Sequence, residues 1–320
     1  MNMLAELVDH VIGIDPDRDR VTASIIAANT QGEEGRAEFP ATPSGYRALI
    51  EWADDFTNAE ARVWSIEGTS SYGSGLAATL AEAGEWVIEF DRPVSRPARD
   101  GAKSDGLDAV RAARELLGRT KWAQPRARGT REAMRVLLVA RAGAQRSRVA
   151  AINQIKCLVV TAPVELRQDL RGLTTKKLVA RCAGFRPCGD PELAATKTAM
   201  RILARRIRSL DDELKVIDHQ LDVMCHEVAP QLLDQFGVGP ICAAQAYIAW
   251  SHPGRCRNEQ AFARLAGVCP IPATSGLNQT RHRLNRGGDR QLNRAIHTVV
   301  TVRMRYDADT RDYVAKAISR

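Results

Sequence analysis

Four carboxylates in this chain have the types and spacing that a hard-cation site needs. They are Asp15 in "GID", Glu67 in "SIEGTS", and Asp105 and Asp108 in "KSDGLDA". Carboxylate oxygens are the ligands that Mg²⁺ and its relatives prefer. Asp105 and Asp108 stand three residues apart, so on a helix both project from one face. Two readings of that pair are open. Ser104 or Asp105 can cap a helix whose first turn favours acids, or the pair can hold a divalent cation. Asp15 also reads as a turn former, with Asp17 and Asp19 close enough to compete for its role. Glu67 is harder to explain as decoration: it closes the apolar run Val63–Ile66, where an unpaired carboxylate is costly.

The elements that must position these acids are legible in the periodicity. "VDHVIGID", "VTASIIAA" and "GRAEFPA" read as three short strands joined by the turns "PDRD" and "NTQGEEG". "TPSGYRALIEWADDF" reads as a helix, capped by Thr42 or Ser44. "ARVWSIEGTS" is a fourth strand, "YGSGLAATLAEAG" a helix stopped by Gly84, and "EWVIEFD" a fifth strand. After the loop "RPVSRPARDGAK", the helix carrying Asp105 and Asp108 runs to about Gly118. The order is β-β-β-α-β-α-β-α.

Charge is segregated along the chain. Residues 1–100 hold 8 Lys/Arg against 18 Asp/Glu, a net of −10, whereas residues 101–320 hold 38 against 20, a net of +18. An acidic first part beside a strongly basic remainder suits a polyanion gripped by one part and worked on by carboxylates in the other. No stretch approaches the roughly 20 consecutive apolar residues that span a bilayer, and the N-terminus lacks the pattern of a signal peptide. The seven cysteines are odd in number and form no C-x-x-C. A reduced, cytoplasmic protein is expected.

Residues 129–160 read as a long helix bearing Arg131, Arg135, Arg141, Arg146, Arg148 and Lys156, a candidate nucleic-acid face. After a break around "CAGFRPCGDPE", apolar residues from Met200 to Val228 step by three and four, a heptad seam. It predicts a helical hairpin with the preceding helix, a dimerising coiled coil, or both. Gly237 and Gly239 in "GVG" suggest a helix-hairpin-helix turn whose amides approach phosphate; a plain helix cap explains them as well.

The D…E…D-x-x-D set, in this element order, resembles the RuvC-like domain of the DEDD transposases, the insertion-sequence-110 family of recombinases. "GVG", "FARLAGVCP", the pair Ser275–Gly276 and "LNRAI" resemble that family's C-terminal transposase domain. The resemblance implies an α/β, ribonuclease H-like domain at 1–125. It further implies a helical, coiled-coil region at 126–230 and a small helical domain at 231–320. It also implies that Asp15, Glu67, Asp105 and Asp108 hold Mg²⁺ or Mn²⁺ and that Ser275 is a nucleophile. Nucleic-acid contacts are expected from Lys103, Arg141, Arg146, Arg148, Gly237, Gly239, Arg281, Arg283, Arg286 and Arg290. Implied partners are donor and target DNA, a structured bridge RNA, and further copies of the chain, a tetramer of two dimers. A RuvC-like nuclease using water, or a non-catalytic nucleic-acid scaffold, are the rival readings.

Overall fold

The computed structural model describes residues 3–90, 105–273 and 281–319, and side chains throughout these except at 105–108. The chain forms two compact units, Met1–Ala127 and Arg128–Arg320.

The first unit is built on a five-stranded sheet of β1 (His10–Pro16), β2 (Arg20–Ala27), β3 (Glu33–Pro40), β4 (Arg62–Glu67) and β5 (Val87–Phe90). The strand order is β3-β2-β1-β4-β5. β1 pairs antiparallel with β2 and parallel with β4, so β1 is central and buried on both faces. This is why it reads as a continuous apolar run instead of a clean alternation. On one face, Ile12, Ile14 and Ile66 pack with Leu49 of α1 (Pro43–Asp54) and with Leu76 and Leu80 of α2 (Ser74–Glu82). On the other, Val11, Val63 and Ile88 pack with Val110, Ala113 and Leu116 of α3 (Asp105–Leu117). Thr42 caps α1 by accepting the Gly45 N–H at 3.1 Å, with Pro43 opening the helix. The sheet with helices on both faces is the ribonuclease H-like α/β arrangement expected from the sequence.

At the N-terminal end of β4, Arg62 is fully buried. Its Nη1 donates to Asp54 at 2.6 Å and to the Thr57 carbonyl at 2.9 Å, and its Nε to Glu85 at 3.0 Å. Glu85 also accepts the Trp64 indole N–H at 2.7 Å. This buried charge is fully partnered, as a desolvated guanidinium must be.

The second unit is helical. α4 (Thr130–Thr161) and α7 (Pro191–Val228) form an antiparallel hairpin. Met200, Ile207, Leu214 and Leu221, seven residues apart, are buried within it. The heptad seam is therefore satisfied inside one chain. α5 (Val164–Leu170) and α6 (Thr175–Ala183) close one end through Leu166, Leu178 and Cys182. At the other end, Met134, Leu221 and Cys225 pack with Ala243, Ala244 and Ile248 of α9 (Pro240–Trp250), which follows the single turn α8 (Pro230–Leu233). The chain then runs through α10 (Glu259–Leu265) and the two-residue strands β6 (Ile271–Pro272) and β7 (His282–Arg283). It ends in α11 (Arg290–Tyr306) and α12 (Ala308–Ile318). No helix of the described residues is long and apolar enough to cross a membrane, and all seven cysteines are free thiols.

Candidate active site

The sheet register brings the first two acids together. Ile14 of β1 stands opposite Ile66 of β4 in a parallel pair, so Asp15 and Glu67 are the next residues outward on neighbouring strands. Side chains alternate across a strand. Ile12, Ile14, Trp64 and Ile66 belong to the face covered by α1 and α2, which assigns Asp15 and Glu67 to the opposite face. Gly13 and Ser65, two residues earlier, lie on that face: Gly13 abuts Ala109 of α3, and Ser65 Oγ donates to the Ala112 carbonyl at 3.3 Å. Both acids are half-buried.

α3 covers this face in a fixed direction. Its C-terminal end meets the start of the chain, where the Leu4 N–H donates to the Arg119 carbonyl at 3.1 Å and Leu4 and Val8 cluster with Leu116 and Leu117. Its early residue Ala109 lies over Gly13, next to the far end of β1. The helix thus runs antiparallel to β1 and begins, at Asp105, toward the end of the sheet that carries Asp15 and Glu67. A Cβ on Gly13 would lie 2.0 Å from the Ala109 carbonyl oxygen, so this approach requires glycine. Sequence reading passed over Gly13; a glycine inside the apolar run "VIGID" is the signal that finds it.

Asp105 and Asp108 are helical, but their side chains, together with Lys103, Ser104 and Ser275, lie outside the described residues. Among the described side chains, no group of three or more His, Cys, Asp or Glu stands together as a metal cluster. Asp17 and Asp19 are taken by the β1–β2 turn. The Asp17 N–H donates to the Arg20 carbonyl at 2.9 Å, the Asp17 carboxylate accepts the Arg18 N–H at 2.7 Å, and Asp19 pairs with Arg18.

Of the arginines expected on α4, several are engaged within their own unit. Arg131 is buried and donates to the Ile248 carbonyl at 3.1 Å. Arg135 pairs with Glu132, holding that carboxyl below the ordinary range. Arg141 pairs with Asp218 at 2.5 Å, and Arg148 with Asp211. The face that looks free in sequence meets acids on α7; Arg146 and Lys156 are exposed. Gly237, at φ +82°, packs against α11, where a Cβ would meet the Val299 carbonyl at 3.3 Å, and Gly239 is the N-cap position of α9. Arg281, Arg283, Arg286 and Arg290 are exposed around β7 and the start of α11.

Two families match this chain. One, described as a transposase and specific to the DEDD transposases of IS110 type, matches residues 12–162; the other, the transposase IS116/IS110/IS902 family, matches residues 229–315. The chain belongs to the IS110 family of DEDD transposases. None of the curated proteins compared with it matches. Membership makes this IS110-type chain a DNA transposase/recombinase and implies a divalent metal requirement. The donor chemistry fits such an ion: oxygen ligands only, on a sheet end and a helix start that a side-chain-free contact at Gly13 draws together.

Proposed function

We propose that this transposase cuts and rejoins donor and target DNA through Ser275, assisted by a divalent cation, Mg²⁺ or Mn²⁺, at Asp15, Glu67, Asp105 and Asp108. The observation that carries the acidic half of this reading is the register of β1 and β4, with α3 beginning at the same end and on the same face. The four carboxylates bind and orient the ion, and the half-buried setting of Asp15 and Glu67 limits competing water. The ion, when bound, neutralises charge on the scissile phosphate and eases departure of the leaving oxygen. Ser275 attacks phosphorus and leaves the DNA joined to protein as a phosphoserine. Arg281, Arg283, Arg286 and Arg290 neutralise backbone phosphates, as do Arg146 and Lys103. A structured bridge RNA supplies sequence selection by pairing with both DNAs. The 126–230 region brings two copies together as a coiled coil through helix surface outside the seam buried between α4 and α7, where Val136, Val139, Val216 and Val223 are exposed, two dimers making the tetramer, and the 231–320 region presents the serine.

Covalent trapping tests the reading. Full-length protein is incubated with Mg²⁺, the RNA of its flanking element and labelled donor and target DNA, then run on denaturing gels. A protein–DNA band lost in both Ser275→Ala and Asp15→Asn is the expected result. Cleaved DNA without a band would mean that water attacks, as in a nuclease. No cleavage by the wild type, and no difference between it and Asp15→Asn, would leave only a nucleic-acid scaffold.

A further inference from the structure

α7 carries two heptad rows, and the fold of one chain uses the first of them. Met200, Ile207, Leu214 and Leu221 are buried, packed with residues of α4 such as Met134, Ala151 and Ile155. Two residues on from each, a helix has turned through about 200°, which puts Ile202, Ser209, Val216 and Val223 on the opposite side. All four are exposed, Ile202 at 53% and Val216 at 58%. Branched apolar side chains left in water at the spacing of a coiled-coil seam mark a helix with a second partner.

The charges beside the outer row identify that partner. From 202 to 216 the sequence reads I-x-x-R-R-x-x-S-x-x-D-E-x-x-V. About Ser209 it is symmetric in position and opposite in charge: Arg205 and Arg206 on one side, Asp212 and Glu213 on the other, all exposed. A second α7 laid antiparallel on this row, with Ser209 on the two-fold axis, is complementary throughout. Ile202 of one copy faces Val216 of the other, Arg205 faces Glu213, and Arg206 faces Asp212. Each contact occurs twice, as a two-fold interface requires. Asp212 already accepts from Lys215 of its own helix at 2.8 Å, but both are largely exposed; such a pair contributes little, and a carboxylate has room for a second donor. Other arrangements fail on charge. A parallel pair in register sets each arginine and each acid against its own copy. An antiparallel pair slipped by one heptad sets Arg205 against Arg206, or Asp212 against Glu213.

We propose that the outer row of α7 is a two-fold interface with a second copy of this chain, antiparallel and centred on Ser209. The inference rests on the reading that the 126–230 region joins two copies, and it names the helix, the direction and the register. Ile202 and Val216 supply the apolar contact, with Ala195 facing Val223 beyond them. The arginine and acid pairs reject the other registers, as charges flanking a coiled-coil seam do. Ser209 is the polar interruption of the row; on the axis its hydroxyl meets its own copy, the one place where a like partner can both donate and accept.

Sedimentation equilibrium of the full chain, with cross-links mapped by mass spectrometry, tests the interface. Arg205→Glu with Arg206→Glu is expected to weaken the dimer about 10- to 100-fold, as is Asp212→Arg with Glu213→Arg. Combined in one chain, the four changes restore opposite charges across the axis and should return Kd to within about threefold of wild type. In a chain with the exposed Cys157 and Cys188 changed to Ser, Ser209→Cys should link to its own copy through a short bismaleimide. Ile202→Cys should link only when mixed with Val216→Cys. The cysteine variants keep every charge, so they decide the register even if a charge-reversed chain folds poorly. Ile202→Cys linking to itself overturns this interface, as does a dimer indifferent to the reversals or one linked through Val136→Cys or Val139→Cys of α4 instead. Those results leave standing the reading that the region joins two copies; a chain monomeric at every concentration refutes that reading too.

Discussion

Gly13 lies directly beneath the backbone carbonyl of Ala109, with no room between strand and helix for even one methyl group. A Cβ there would sit 2.0 Å from the Ala109 oxygen, 2.9 Å from its carbonyl carbon and 3.0 Å from the Ala113 Cβ. Backbone cannot yield as a side-chain tip can, so Gly13→Ala must lift α3 off β1. Overpacking of this kind costs about 1–3 kcal/mol. The start of α3, which carries Asp105 and Asp108, would move with it. Urea denaturation should report the stability loss, and DNA cleavage should fall by more than that loss explains at temperatures where the variant remains folded.

The Arg62 network tests a buried charge far from the chemistry. Glu85→Ala strips Arg62 of its buried partner and leaves the Trp64 indole without its acceptor, at a cost of about 3–5 kcal/mol. Asp54 is different, because its side chain is 58% exposed. Asp54→Ala should cost about 1 kcal/mol or less. Equal losses in denaturant midpoint for the two variants would refute this division.

The arginines of α4 should separate by function. Arg146→Ala is expected to lower the salt slope of nucleic-acid binding by about one, since each phosphate contact releases roughly one counterion, and to leave the thermal midpoint unchanged. Arg148→Ala should do the reverse. A double-mutant cycle with Asp211→Ala should return a coupling of about 0.5–1 kcal/mol, the range for a partly exposed pair. Salt titrations of both variants, side by side, decide the matter.

Burial pushes the Cys182 and Cys225 thiols up to about 11 from an ordinary 9.0. Thiolate is the reactive form, so at pH 8 both should alkylate at least about 100-fold more slowly than a thiolate-competent cysteine. Cys157 and Cys188 are exposed and should label first by mass spectrometry. The same shift has a stability sign. Below pH 9 both states keep these thiols protonated and the contribution is intact. As pH rises from about 9 to 11, only the unfolded chain ionises, and that stability is lost.

The sheet was legible because its strands alternate or run apolar between turn residues, while the strand order β3-β2-β1-β4-β5 came only with the structure. The helices α4 and α7 were legible from long apolar periodicity. The short elements were not. α6 depends on a single cap, Thr174 accepting the Lys177 N–H at 3.4 Å, and β6 and β7 are two residues each, held by contacts distant in sequence. Asp15 and Glu67 were picked out as candidates by residue type and place, but their common face came only with the register Ile14–Ile66. The pairing of the arginines was hidden for a related reason: sequence displays the charge of Arg141 and Arg148, while their partners Asp218 and Asp211 lie 77 and 63 residues away. Tertiary pairing leaves no local trace.

The two cross-helix pairs of the hairpin act as a vernier. From Arg141 to Arg148 the chain advances seven residues, and from Asp218 to Asp211 it retreats by the same number. Slide α7 by one heptad, and one arginine still finds an aspartate while the other faces Cys225 or Ala204, both fully buried. The apolar seam alone repeats every heptad and tolerates such a slip; the charges do not. A chain that gains or loses seven residues in one of these helices must therefore match the change in the other, so their lengths are free to evolve only together.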